Sequence, residues 1–518
     1  MERTTKPPAL WITGCFVLAA LAGAFFHEWW LDEAQGFLIA RDSATLTALW
    51  DNTRPEGHPL LWYLLMWMLT RFTTDVVFFQ LVQIAISAVT VYRIARHSPF
   101  STAVIWALPF TYLLFFESTL LCRSYALGLC LLVIALTQDR RRHGWVWKSG
   151  VCLALSLQVH WLFALPGAVY ATACWPEIAR SRRTALKFLC PLGASLILLG
   201  IQMITADLSW YVDQHAAGLT DGDVRVALAS PLTGVLTFPD PTRIQNFNST
   251  VWRHLPYAIA GALAAFTWLL PVGLLWRHAR SLGVATLAGQ GALASFILLT
   301  HHYATRIAGF HWWILLTALW LAMEHAPDLR RRRTLDRAVL LIALVQVAGN
   351  GVVVVNDIRH PFTASRAAAE AISQPPLAEL PVATASCEAT ELAPYLQRQP
   401  YALCSQHVET FCHWRQTCSI MERPHDLAMA LAARAVVQAD FLFASWTPVP
   451  AETLSELSTT PVPLRLERLL SVEDTIIRYG SLHVYRIRRE QADGVRPRVP
   501  EQPHVQQQAA SGAGFGRR

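Results

Sequence analysis

Long apolar stretches, one after another, limit this chain more than any other feature. A bilayer core of roughly 30 Å is crossed by about 20 apolar residues in a helix, because each backbone amide must find its partner inside the segment. Runs of that kind lie at approximately 8–26, 76–95, 100–116, 120–137, 145–160, 161–176, 186–205, 255–275, 282–300, 306–323 and 336–355, about eleven in all. Over 518 residues, 53% are hydrophobic and only 15% charged, so the expected class is an α-helical polytopic membrane protein. The formal net charge of +7 does not point to nucleic acid, since Lys and Arg sit in short clusters between apolar runs. The first run is read as a helix and not a cleaved leader, because no small-residue cleavage site precedes the acidic segment after it.

The stretch "HPLLWYLLMWMLTRF", residues 58–72, sets the topology. Its apolar part is about fourteen residues, short of a span, and is read as interfacial. With the N-terminus inside, "YRIARH", "QDRRRHGWVWK", "EIARSRRTALK", "WRHARS" and "DLRRRRTLDR" then all fall on the cytoplasmic side. The opposite face receives the loop 27–75, the segment 206–254 and everything after about 356. The expected organisation is a transmembrane domain over 1–355, a small extracytoplasmic α/β domain over 356–489, and a disordered tail over 490–518. In the α/β domain, "LPVATASC", "QADFLFASW" and "SLHVYRIRR" read as strands, while "EATELAPYLQ" and "DLAMALAARAVV" read as helices. Cys387, Cys404, Cys412 and Cys418 fall in this domain and permit two disulfides, with the pairing open.

Ionisable residues near membrane depth are costly and mark sites or pathways. Here His27, Glu28, Asp32, Glu33, Glu56, His58, Glu117, Arg123, His160, His301, His302, Arg306 and His311 all map to the outer ends of spans. Asp32 and Glu33 follow the first helix in "FFHEWWLDEAQGFLIAR"; as acids early in a helix they would also suit its dipole. Glu117 and Arg123 share the apolar hairpin "FFESTLLCRSYALG", where a mutual ion pair is the simpler alternative. Arg306 in "HYATRIAGFH" is a second cation, and interfacial snorkelling would explain it equally. His301 and His302, with Asp32 or Glu56, are a candidate set for a divalent metal such as zinc or manganese.

The order "WWLDEAQ", "PEGHPLLWYLL", "LLCRSYALGL", then "HHYATRIAGFHWW" and "DIRHPFTASRAAAEAI", resembles the GT-C polyprenyl-phosphate-sugar glycosyltransferases, within them the protein O-mannosyltransferase and aminoarabinose transferase branch. The resemblance covers residues 8–355. It implies a bacterial inner-membrane enzyme that moves a sugar, with inversion, from a polyprenyl phosphate to a glycan, lipid or protein acceptor at the periplasmic or extracellular face. It also implies Asp32 as the base, with Glu33 orienting or binding acceptor or metal. Glu56 matches the acid that opens the family's E-K-P-P type motif, but Gly57 stands for the lysine and His58 for the first proline. Arg123 matches the arginine of the R-x-Y-A-L segment and offers a planar fork for phosphate. Two other readings stay open: an O-antigen polymerase or ligase type enzyme, and a transporter. Against the transporter, the ionisable residues are confined to one face and no internal repeat is evident.

Overall fold

The computed structural model describes residues 8–142, 144–206, 218–276, 279–301, 303–325, 328–414, 420–477 and 480–490. Seven of its helices are long and apolar enough to cross a membrane: α1 (Ala9–Phe26), α5 (Val76–His97), α10 (Arg182–Thr205), and the helices Tyr257–Leu275, Arg280–Thr300, Thr305–Glu324 and Leu329–Arg359. An eighth candidate, Thr102–Phe110 with Tyr112–Leu120, is bent by 42°. Pro109 sits at that break, where it can donate no backbone hydrogen bond. Three further runs form shorter helices, α7 (Tyr125–Leu136), α8 (Trp145–Val159) and α9 (Ala164–Ile178). At 12 to 15 residues they reach about 18–22 Å, so the expected eleven spans become seven or eight by length and composition. The stretch read as interfacial forms α4 (Leu61–Thr70), an apolar helix of 10 residues.

The helices pack in sequence-local pairs, α1 on α5, α7 on α8 and α8 on α10. Phe310–Met323 runs through the middle of the bundle with every residue buried, and Trp312 and Trp320 are among the largest side chains sealed there. Between α1 and α5 the chain folds into two short helices, α2 (Leu31–Asp42) and α3 (Leu46–Thr53), ahead of α4. They bury Phe37, Leu38, Ile39, Trp62 and Met66 in a second core that also takes in Ala393 and Phe411 from the C-terminal region.

That C-terminal region holds a six-stranded sheet in the order β3-β2-β1-β4-β6-β5. Its strands are β1 (Val382–Thr384), β2 (Tyr401–Ala402), β3 (His407–Val408), β4 (Asp440–Ser445), β5 (Leu464–Val472) and β6 (Leu482–Arg489). β2, β1 and β4 are parallel, while β3, β6 and β5 each run antiparallel to their neighbours. The period-two alternation of β4 explains why the sheet is covered on both faces. Phe441 and Phe443 enter one core, with Leu427 and Leu431 of the Pro424–Val437 helix, and Leu442 and Ala444 enter the other, with Ala368 and Ile372. The tail expected from 490 onward lies, beyond Glu490, outside the described residues.

Candidate active site

The site begins at the N-terminus of α2. Trp30 is extended, and Glu33 one turn on accepts its backbone N–H at 3.3 Å, a reciprocal brace that starts the helix. Consecutive helical residues point about 100° apart, so Asp32 and Glu33 leave this turn on different faces.

Asp32 Oδ2 accepts hydrogen bonds from Arg123 Nη1 at 2.7 Å and from Arg306 Nη2 at 3.0 Å. The two arginines come from opposite halves of the chain, Arg123 from the turn before α7 and Arg306 from the short helix Thr305–Ala308. Both guanidinium carbons lie over the Trp30 ring, 5.8 and 5.6 Å from its centre, and Arg123 also lies 5.5 Å from Tyr125. The Arg123 loop is pinned from behind: Gln83 of α5 donates to the carbonyls of Ser118, Leu121 and Arg123 at 2.9–3.0 Å. Among the described residues, this one carboxylate faces two guanidinium groups, and Asp32 and Arg123 reach a small cleft. That cleft is lined by Asp32, Gly36, His58, Trp62, Tyr63 and Arg123.

Glu56 lies behind Tyr63, which lines the cleft. Gly57 takes φ of 63°, a left-handed turn that a side chain would strain, and this bend lets Glu56 and His58 flank the start of α4. Glu56 Oε1 accepts from Gln35 Nε2 and from Trp414 Nε1, each at 2.8 Å, while Oε2 accepts from Tyr63 Oη at 3.3 Å. Burial pushes the Glu56 carboxyl up to about 7, and these donors only partly offset it. The His58 ring lies 5.3 Å from that of His160. Gln35 also exchanges two 2.8 Å hydrogen bonds with the backbone of Cys412, which is joined by a disulfide to Cys387. Cys404 is disulfide-bonded too, and Cys418 lies outside the described residues.

Glu33, expected to work beside Asp32, is used differently. Its Oε1 accepts the Cys122 backbone N–H at 2.5 Å, and its Oε2 meets His27 Nε2 at 3.1 Å. His27 Nδ1 in turn meets Asp357 Oδ2 at 2.9 Å. Burial alone would lower the His27 imidazole, but Asp357 and Glu33 on either side raise it to about 10. Glu33 is thereby a buried clamp between α1, the Leu329–Arg359 helix and the Arg123 loop, and it does not line the cleft.

Glu117 does not pair with Arg123, which bonds Asp32 instead. Its Oε1 accepts from Tyr112 Oη at 3.1 Å, and Oε2 has no hydrogen-bond partner among the described residues. The segment bearing it, Tyr112–Leu120, is π-helical, a rare form that concentrates at functional positions. His302 lies outside the described residues. His301 meets Asp223 at 3.2 Å and Tyr303 at 3.0 Å, away from Asp32. Among the described residues no group of three His, Cys, Asp or Glu side chains is arranged to hold a metal ion, and Asp32 faces two cations. The described residues form no site for the divalent metal considered from the sequence, and His302 of that set lies outside them.

Several contributors were not singled out from sequence. Gln35 stands one helical turn after Asp32, a spacing that places the two on a shared face, whereas Tyr63 reaches Glu56 across the Gly57 bend. Asp357 lay in the quoted "DIRHPF" without a role. Trp414 carries no local signal, because only the tertiary fold brings it to Glu56.

No protein-family model matches the chain, and no curated protein does. Among solved structures, it is similar to ArnT from Cupriavidus metallidurans bound to undecaprenyl phosphate, with a TM-score of 0.44 and 12% identity over 91% of this chain and 97% of that one. The apo state of the same ArnT gives a TM-score of 0.41 and 14% identity over the same shares. Superposition this loose transfers neither residue roles nor activity.

Proposed function

We propose that this multi-pass membrane protein is an inverting glycosyltransferase of GT-C type, which moves a sugar from a polyprenyl-phosphate donor to an acceptor at the outer face of a bacterial inner membrane. The observation that carries the reading is the convergence of Arg123 and Arg306 on Asp32 over the Trp30 ring, at a cleft that Asp32 and Arg123 line. The low exposure of both arginine side chains, 12–13%, strengthens their electrostatics there. In this reading the Arg123 and Arg306 guanidinium groups hold the donor phosphate and offset the charge that builds on it as the glycosidic bond breaks. Asp32 takes the acceptor's proton while the acceptor oxygen attacks the anomeric carbon from the face opposite the phosphate. Glu56, raised to about 7, is poised to relay that proton or to orient the acceptor. A phosphate leaves readily, so no strong acid is needed to protonate it.

The outer-face placement draws support from the Cys387–Cys412 disulfide, which persists in oxidising compartments, and from the basic clusters at the other end of the bundle. The domain division at about 355 is refined in this reading, since the last span continues to Arg359. The acceptor is a glycan, a lipid or a protein. Mass spectrometry of envelope lipids and glycans from cells carrying Asp32→Asn tests the proposal. Accumulated polyprenyl-phosphate sugar together with a missing envelope substituent is the expected result; an unchanged profile refutes it.

A further inference from the structure

A cavity of about 630 Å3, far larger than the Asp32 cleft, opens at the other end of the bundle. It lies where α5, α7 and α8 meet, and α7 separates it from the Asp32 cleft by roughly 18 Å of helix. Its walls include Arg93, His97, Thr137, Arg142, Trp145 and Lys148. Arg93 is held in one orientation by Thr137, whose hydroxyl and carbonyl accept from Nε and Nη2 at 2.8 and 3.2 Å. Two acids, Asp139 and Glu324, share the lining, but each has a cation of its own. Asp139 lies 3.5 Å from Arg142, and Glu324 lies 2.9 Å from Arg140. Arg93 and Lys148 are left without a carboxylate among the described residues.

We propose that this cavity binds a phosphate-bearing group, presented as the headgroup of an anionic lipid. A guanidinium already fixed by the protein loses little freedom on meeting phosphate. The setting favours a lipid over a soluble anion. The cavity sits at the ends of apolar helices, and on α8 Trp147, the neighbour of Lys148 in sequence, is 48% exposed, as an interfacial aromatic would be. Basic pockets between membrane helices on the cytoplasmic side suit such headgroups. The inference is independent of the chemistry proposed for the Asp32 cleft.

The test is native mass spectrometry of the full-length protein in detergent, with phosphatidylglycerol or phosphatidylcholine of matched chains. Wild type is expected to retain phosphatidylglycerol preferentially, and each lost cation should reduce that retention by about fivefold in Lys148→Gln and again in Arg93→Gln/Lys148→Gln. Arg332→Gln, outside the cavity, should retain it fully, and millimolar inorganic phosphate should not displace it. Equal retention in Lys148→Gln and Arg332→Gln overturns the proposal. Displacement by inorganic phosphate alone overturns the lipid assignment. Lys148 is exposed, so its single variant decides the matter even if the double variant fails to fold.

Discussion

Two charge clusters start one residue apart in the sequence and end in different surroundings. Around Asp32, the side chains of Arg123 and Arg306 keep 12–13% exposure and the carboxylate 20%. Around Glu33, the side chains of His27 and Asp357 keep 1–3%, and Glu33 itself none. The first cluster is partly exposed, with two cations on one carboxylate among the described residues and a cleft at its side. The second is sealed, with a protonated imidazole between two acids. Charges paired in a sealed site build architecture, whereas charges that keep some exposure at a cleft can act on a ligand.

That contrast predicts separable defects. Asp32→Asn should lower sugar transfer by about a thousandfold with thermal unfolding unchanged, measured on purified protein with donor lipid. Arg123→Gln and Arg306→Gln should each cost about a hundredfold in kcat/KM. Glu33→Gln should do the reverse, destabilising the fold by about 3 kcal/mol while each folded molecule keeps most of its transfer rate. If Glu33→Gln abolishes transfer in fully folded protein, the division between the two clusters is wrong.

Two pH effects sharpen it. Because His27 is raised from 6.5 to about 10, the clamp's contribution is fully present below about pH 6.5 and is lost as pH rises through about 10. Melting curves of Glu33→Gln should show a shallower alkaline loss than wild type. Glu56 has the opposite sense: raised from 4.5 to about 7, it resists ionising in the fold, so stability falls as pH rises from about 4.5 to about 7. Glu56→Gln should remove that slope and flatten the rise of transfer rate through about pH 7. Retention of the slope in the variant would assign it to another group.

How much of this could be read in advance follows from the range of the forces involved. The spans, α4 and the strands β1, β4 and β6 rest on apolar runs and period-two patterning, which are local. β5, "LRLERLLSV", went unread because its alternation breaks at the irregularity between Arg468 and Leu470 and much of it is exposed. Asp32, Arg123 and Arg306 could be gathered because topology puts charges at the ends of spans on one face. The division of labour between Asp32 and Glu33 could not, since it depends on His27 and Asp357, 330 residues apart, meeting across the bundle. The bond from Trp414 to Glu56 spans 358 residues and is equally beyond sequence spacing.

The most direct test is a cryo-electron microscopy map of the protein with polyprenyl phosphate bound. The account predicts phosphate density within hydrogen-bond distance of both Arg123 and Arg306, beside Asp32 and above the Trp30 ring. Phosphate density at any other place, with the Asp32 cleft empty, would contradict it.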